Sequence, residues 1–177
     1  IKGSGGEDYS HLNDYQPLPD FFNPFENDSL EYTGYVADLP AFRQDTSGPV
    51  APVRQHLHNI IKRWGDPDND GDPSDGIDGW RLDVAERVRF EFWQQFRIWV
   101  KEINPDAYIT GEIWWENYWD NQHFNAAPWL AGDSFDGVMN YRFCDVMFKF
   151  LIDEDNQINP TTADSLLQAI QQDYTYN

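Results

Sequence analysis

Cysteine, positive charge and long apolar runs are what this chain has least of. A single cysteine, Cys144, excludes any disulfide within the chain. Set among Phe143, Val146 and Met147, it reads as a small core residue. No stretch approaches the ~18 consecutive apolar residues of a membrane span. Only 12 basic residues stand against 31 acidic ones, a net charge of -19. Nucleic acid and anionic membrane surfaces both need a basic face, so neither is expected as a partner. A neutral polysaccharide suits such a surface, most of whose acidity simply keeps the chain soluble. The amino terminus reads as starting mid-protein, so the lack of a signal peptide says nothing of location. An extracytoplasmic setting, whether secreted, periplasmic or at the cell surface, is the expectation.

Aromatic residues, by contrast, are plentiful. The chain has 8 Trp, 9 Tyr and 12 Phe, most of which read as ordinary core. Flat apolar faces with polar edges also suit stacking on sugar rings.

The most informative segment is Asp78-Gly79-Trp80-Arg81-Leu82-Asp83-Val84-Ala85. It reads as a buried strand in which Arg81 and Asp83 share one face and Trp80, Leu82 and Val84 the other. A carboxylate on an apolar strand is costly unless a cation holds it, and Arg81 can. An Asp so held stays ionised, available as a nucleophile or as a partner for a developing cation. A second β-rich run, Ala107 to Trp114, ends in Glu112, 29 residues beyond Asp83. Between them Val88, Phe92, Phe96, Val100 and Ile103 recur at helical spacing, and Asn104-Pro105 stops the helix. This is a β-α-β unit, which brings both strand ends, and hence Asp83 and Glu112, to one rim. Arginine beside one acid and apolar aromatics beside the other would push their pKa values apart. Two such carboxylates are the minimal machinery of glycoside hydrolysis.

Here the chain resembles a known family. DGWRLDVAERV resembles the second conserved region of the α-amylase superfamily of glycoside hydrolases, and GEIW its third. FDGVMNY, from Phe135 to Tyr141, resembles the strand that follows in the neopullulanase and cyclomaltodextrinase branch. The resemblance implies Asp83 as nucleophile, Glu112 as general acid/base and Arg81 as the residue that positions Asp83. It also implies an α/β fold, part of a (β/α)8 TIM barrel at about strands 4 to 6, after a loop-rich inserted domain. The implied activity is retaining hydrolysis of α-glucans such as starch, maltooligosaccharides, pullulan or cyclodextrins. Two other readings stay open: a transglycosylase of the same family and a non-catalytic α-glucan-binding relative.

Two departures bear on that resemblance. Glu86-Arg87 stands where true α-amylases usually carry Lys-His, a pair tied to the calcium contact the family makes there. The family's first region and its fourth, with the third catalytic carboxylate, are not found. A closed barrel needs ~250 residues, and 200 at the least, so 177 residues read as a piece whose partner is the rest of the parent catalytic chain. Residues 1–49, rich in Gly, Pro, Asn and Asp, read as irregular, the end of the inserted domain, with Val36 to Pro40 near a short family motif; 50–177 read as partial barrel.

Several other segments carry expectations. Val50, Val53, Leu57, Ile60, Ile61 and Trp64 mark a helix whose His56 and His58 point different ways and read as surface residues. After Gly65, Asp66, Asp68, Asp70 and Asp72 with Gly71 reproduce the first half of an EF-hand-type loop, so a structural Ca²⁺ is expected there. Asp72 would serve through its backbone carbonyl, and Asp75 could replace the missing glutamate of position 12, which is Ile77. Trp114 to Trp119 reads as a rim loop in which Trp114 is the residue placed to touch substrate, with Glu116, Trp119 and His123 open between rim contact and packing. Val146, Met147, Phe150 and Leu151, then Ala163, Leu166, Leu167 and Ile170, mark two helices with core-facing stripes.

Overall fold

The computed structural model describes residues 41–174. Most of the expected irregular segment 1–49, including 36–40, therefore lies outside the described residues. Its last part is not irregular: Gln44–Asp45 (β1) and Gly48–Pro49 (β2) pair antiparallel as a small hairpin. Gly48 sits at φ +113° with Phe92 so near that a Cβ would lie 2.5 Å from it. Only glycine combines that backbone angle with that approach.

The apolar spacing from Val50 to Trp64 forms α1, Ala51–Gly65, with proline tolerated in its first turn. After the acidic loop, β3 (Gly79–Leu82), α2 (Phe90–Ile103) and β4 (Tyr108–Gly111) make the anticipated β-α-β unit. The two strands pair in parallel from Gly79↔Tyr108 to Leu82↔Gly111. Next come β5 (Trp115–Asn117) and β6 (Gln122–His123), an antiparallel hairpin with a register shift between Trp115 and Asn117. The segment read as a rim loop is thus a hairpin. A two-residue alternation interrupted by such a shift leaves no strand pattern to read. A short strand β7 (Gly137–Val138) then joins β4 in parallel, completing a three-stranded sheet in the order β3-β4-β7.

The main core lies between α2 and this sheet. Phe92, Trp93, Phe96 and Val100 of α2 pack with Leu82, Ile109, Ile113 and Phe135. Burying aromatic side chains of this size is the largest apolar contribution the segment makes. An ionic clasp reinforces it. Asp136, just before β7, accepts from Arg97 at 2.7 Å, lies 3.1 Å from Lys101 and also accepts from the backbone N–H of Ile109 at 2.9 Å.

Two helices follow, α3 (Tyr141–Leu151) and α4 (Pro160–Asp173), each with an asparagine N-cap. Val146, Ala163 and Ile170 form a second, smaller cluster between them. The remainder of the expected stripes does not bury fully: Leu151 is 62% exposed and Leu166 42% exposed. Cys144, expected in the core, is exposed, because the inward face of α3 is set by Val146, and Cys144 lies two residues around the helix. His56 and His58 are half-buried rather than free on the surface, with His58 stacked on Trp99 at 4.6 Å.

Candidate active site

Strand β3 ends at Leu82, so Asp83 falls one residue past it, where the chain turns sharply. Val84 adopts φ 48° and ψ 43°, a left-handed conformation rare for a β-branched residue. Such strain persists where surrounding bonds hold it. Here the N–H of Val84 donates to Glu112 Oε2 at 2.9 Å, and the N–H of Ala85 donates to the Glu112 carbonyl at 3.0 Å. In return the N–H of Glu112 donates to the Leu82 carbonyl at 2.9 Å. The two strand ends are therefore stitched together at the residues that carry the acids.

The acids differ sharply in setting. Glu112 is buried, with its Oε1 accepting from the Tyr141 hydroxyl at 2.7 Å and lying 3.0 Å from Arg81 Nη2. Asp83 has 62% of its side chain exposed and pairs with Arg81 through Nη1. Two expectations are corrected. The buried carboxylate is Glu112 rather than Asp83, because Asp83 lies beyond the strand. Arg81 does not belong to Asp83 alone, because parallel pairing sets Arg81 beside Thr110, two residues from Glu112, and one guanidinium reaches both acids. Asp83 foremost, with Glu112 adding its charge, holds Arg81 more firmly protonated against the opposing effect of burial.

Tyr141 and Glu86 also lie at this rim, a placement that sequence reasoning did not foresee. Burial, then the hydrogen bond to Glu112, push the Tyr141 hydroxyl up to about 12, so it remains a proton-bearing donor. Its ring lies flat against Trp114, with centroids 4.3 Å apart and planes 6° from parallel. Trp114 is thereby fixed beside the acid, where the sequence put it. Glu86 is half-buried near both acids, and burial raises its carboxyl to about 7. Its Oε2 has no hydrogen-bond partner among the described residues. Tyr141 closes the FDGVMNY segment and Glu86 is the departure from Lys-His, but neither position's contacts are visible in a linear chain. Of the open rim residues, Glu116 accepts from Gln122 at 2.7 Å, His123 packs on Trp115 at 4.2 Å, and Trp119 stands 90% exposed.

The acidic loop gathers a different set from the expected one. Carboxylate oxygens of Asp66, Asp68 and Asp75 lie within 4.8 Å of one another. Asp70, expected in the set, stays outside this group and accepts from the Asp72 N–H at 2.8 Å, while the side chain of Asp72, expected to serve through its backbone carbonyl, caps the turn Pro73–Asp75 by accepting from the Ser74 N–H at 3.0 Å. Short side chains that bond the backbone two residues on are common in such turns. Desolvation, with the negative charges of Asp70, Asp75 and Asp66 behind it, outweighs a bond from the Asp70 N–H and raises the Asp68 carboxyl. Three hard oxygen donors that repel one another are a donor set that fits a calcium ion.

Comparison with known proteins agrees with this geometry. Residues 44–176 match the profile of the α-amylase catalytic domain. Neopullulanase 2 of Thermoactinomyces vulgaris is 39% identical over 120 residues, covering 67% of this chain and 17% of that protein. A cyclomaltodextrinase of a Bacillus species is 52% identical over 77 residues, covering 44% of this chain and 12% of that protein. The chain thus spans less than a fifth of the length of these curated relatives. Among solved structures, the ligand-free cyclic α-maltosyl-(1→6)-maltose hydrolase of Arthrobacter globiformis superposes with a TM-score of 0.66 at 26% identity, covering 88% of this chain and 32% of that one. The parallel strands and their helices are part of a (β/α)8 barrel. With its sequence matched over most of its length and two acids brought to one sheet rim, the chain belongs to the α-amylase catalytic-domain family.

Proposed function

We propose that the protein containing this chain is a retaining glycoside hydrolase of α-glucans, with Asp83 as nucleophile and Glu112 as general acid/base. The observation that carries this reading is one guanidinium, Arg81, in contact with both carboxyls, one open to solvent and one enclosed. Double displacement needs such an unequal pair. Asp83 bonds to the anomeric carbon as the glycosidic C–O bond breaks, and Glu112 gives its proton to the departing oxygen. Glu112 then takes a proton from water, whose oxygen attacks the same carbon and releases Asp83 as carboxylate. Esterification removes the negative charge of Asp83, so Glu112 loses a like-charged neighbour when it must act as the base. Arg81 keeps the two acids in register throughout, and Trp114 offers a flat face beside the proton donor.

The substrate pool is starch, maltooligosaccharides, pullulan and cyclodextrins; the names neopullulanase and cyclomaltodextrinase support the last two. Transfer to a second sugar would use the same intermediate, and product analysis on these substrates separates the two outcomes. A structural Ca²⁺ on Asp66, Asp68 and Asp75 and an extracytoplasmic setting belong to the same proposal; cell fractionation checks the latter. The decisive test is Asp83→Asn in the whole protein. Turnover of maltooligosaccharides should vanish while their binding persists, because the amide keeps the shape and loses the nucleophile. Near-normal turnover would remove Asp83 from its role.

A further inference from the structure

The hairpin β5–β6 continues the candidate site outward in a line of rings. Tyr141, which donates to Glu112, stacks on Trp114 at 4.3 Å. Trp114 stacks on Trp115 at 5.5 Å, Trp115 meets Tyr118 edge-on at 5.4 Å, and Tyr118 meets Trp119 edge-on at 5.3 Å. Trp115 is half-buried, whereas Trp114, Tyr118 and Trp119 are open to solvent at 36%, 53% and 90%. An indole this open sits at the tip of an ordered turn, not a loose one. Asn117 Oδ1 accepts from the Trp119 N–H at 3.1 Å, and the Asn121 N–H donates to the Tyr118 carbonyl at 3.2 Å. The base is tied back to the site, where the Phe124 N–H donates to the Trp114 carbonyl at 3.0 Å.

We infer that Tyr118 and Trp119 form a distal platform on which a linear α-glucan chain rests as it leaves the acid pair. The inference rests on the proposed function and extends that site beyond Trp114. Its occupant is argued from continuity: the rings begin at the proton donor's partner and end in solvent. The chemistry agrees. Sugar C–H faces stack on aromatic rings. A preordered aromatic surface binds with little loss of side-chain freedom.

The test uses the whole protein and compares maltoheptaose with maltotriose. In Trp119→Ala, the ratio of kcat/KM for the long to the short substrate should fall ~3- to 10-fold, through KM, as expected for losing one stacking contact. Trp119→Phe should recover most of the loss. Titration of intrinsic tryptophan fluorescence with maltoheptaose should show the same weakening. If the wild type cleaves both substrates and the alanine variant leaves their ratio unchanged, the platform is refuted while the hydrolase stands. A changed oligomeric state with an unchanged ratio would assign Trp119 to protein contact and also refute it. If the wild type cleaves neither but binds maltoheptaose, and Trp119→Ala weakens that binding, the platform stands and the activity falls.

Discussion

Glu86 places a titration near neutrality beside the two candidate catalytic acids. Burial raises its folded pKa from 4.5 to about 7, so the folded state holds a proton that the unfolded state has released. Its contribution to stability is therefore full below 4.5 and is lost as pH rises to about 7. With solvent screening discounted, the effect is about 1 kcal/mol. In Glu86→Gln this slope should largely disappear, so urea midpoints of the whole protein at about pH 5 and about pH 8 should converge relative to wild type. An unaltered slope would mean that Glu86 is charged in the folded protein. The residue scale also marks what a linear sequence can disclose. Arg81 and Asp83 were legible as partners because two residues along a strand share a face. The Tyr141 hydroxyl on Glu112 joins residues 29 apart through a helix N-terminus and a strand end, a contact no spacing rule generates. The burial of Glu112 and the openness of Asp83 depend on where β3 stops, and strand ends are the least determined feature of a pattern.

Among the elements, α2 and the two long strands were legible because their apolar periodicity is strong and Asn104-Pro105 ends the helix sharply. The hairpin β5–β6 was not, since its bulged register hides the alternation. Asp136 reinforces the packing of α2 on the sheet. Burial works to raise its carboxyl, but hydrogen bonds from Arg97, the Ile109 N–H and Lys101 prevail and hold it below the usual 3.8. A depressed folded pKa gives stability that is present above 3.8 and lost as pH falls through the folded value. Asp136→Asn should cost about 2 kcal/mol at neutral pH, because two cations lose their charged acceptor, and the cost should shrink in acid. Denaturant midpoints of wild type and variant across that range check this; a constant difference would count against the clasp. The acidic loop is the other joint, linking α1 to β3. Its carboxylates were legible as a group, yet which of them converge was not, because that depends on how the turn folds back to bring Asp75 beside Asp66 and Asp68. Chelation should lower the melting temperature of the whole protein by mass action. Asp68→Ala with Asp75→Ala should abolish that sensitivity and the calcium binding seen by calorimetry, whereas unchanged binding would leave the loop a solvated turn.

Across the whole molecule, the described sheet has three strands and two open sides: β3 and β7 each pair only with β4. Unpaired strand edges invite association unless something covers them. Apolar side chains tell the same story. Trp64 is 53% exposed, Ile98 51%, Phe148 48%, Leu151 62% and Ile152 65%, values that fit surfaces made to be covered. The matched stretches make up only 17% and 12% of two of the relatives, and a barrel closes only when all its strands pair. The net charge of -19 opposes self-association without covering apolar surface. The 177 residues expressed alone should therefore stay soluble at low salt, bind a hydrophobic dye, unfold over a broad denaturant range and leave maltooligosaccharides uncleaved. Raising the salt should screen the charge and bring on association, visible by light scattering. A sharp, dye-free unfolding transition would show that the described edges and apolar faces are satisfied within the chain itself. Glucan cleavage by the isolated chain would go further, placing every group that the reaction needs within these residues.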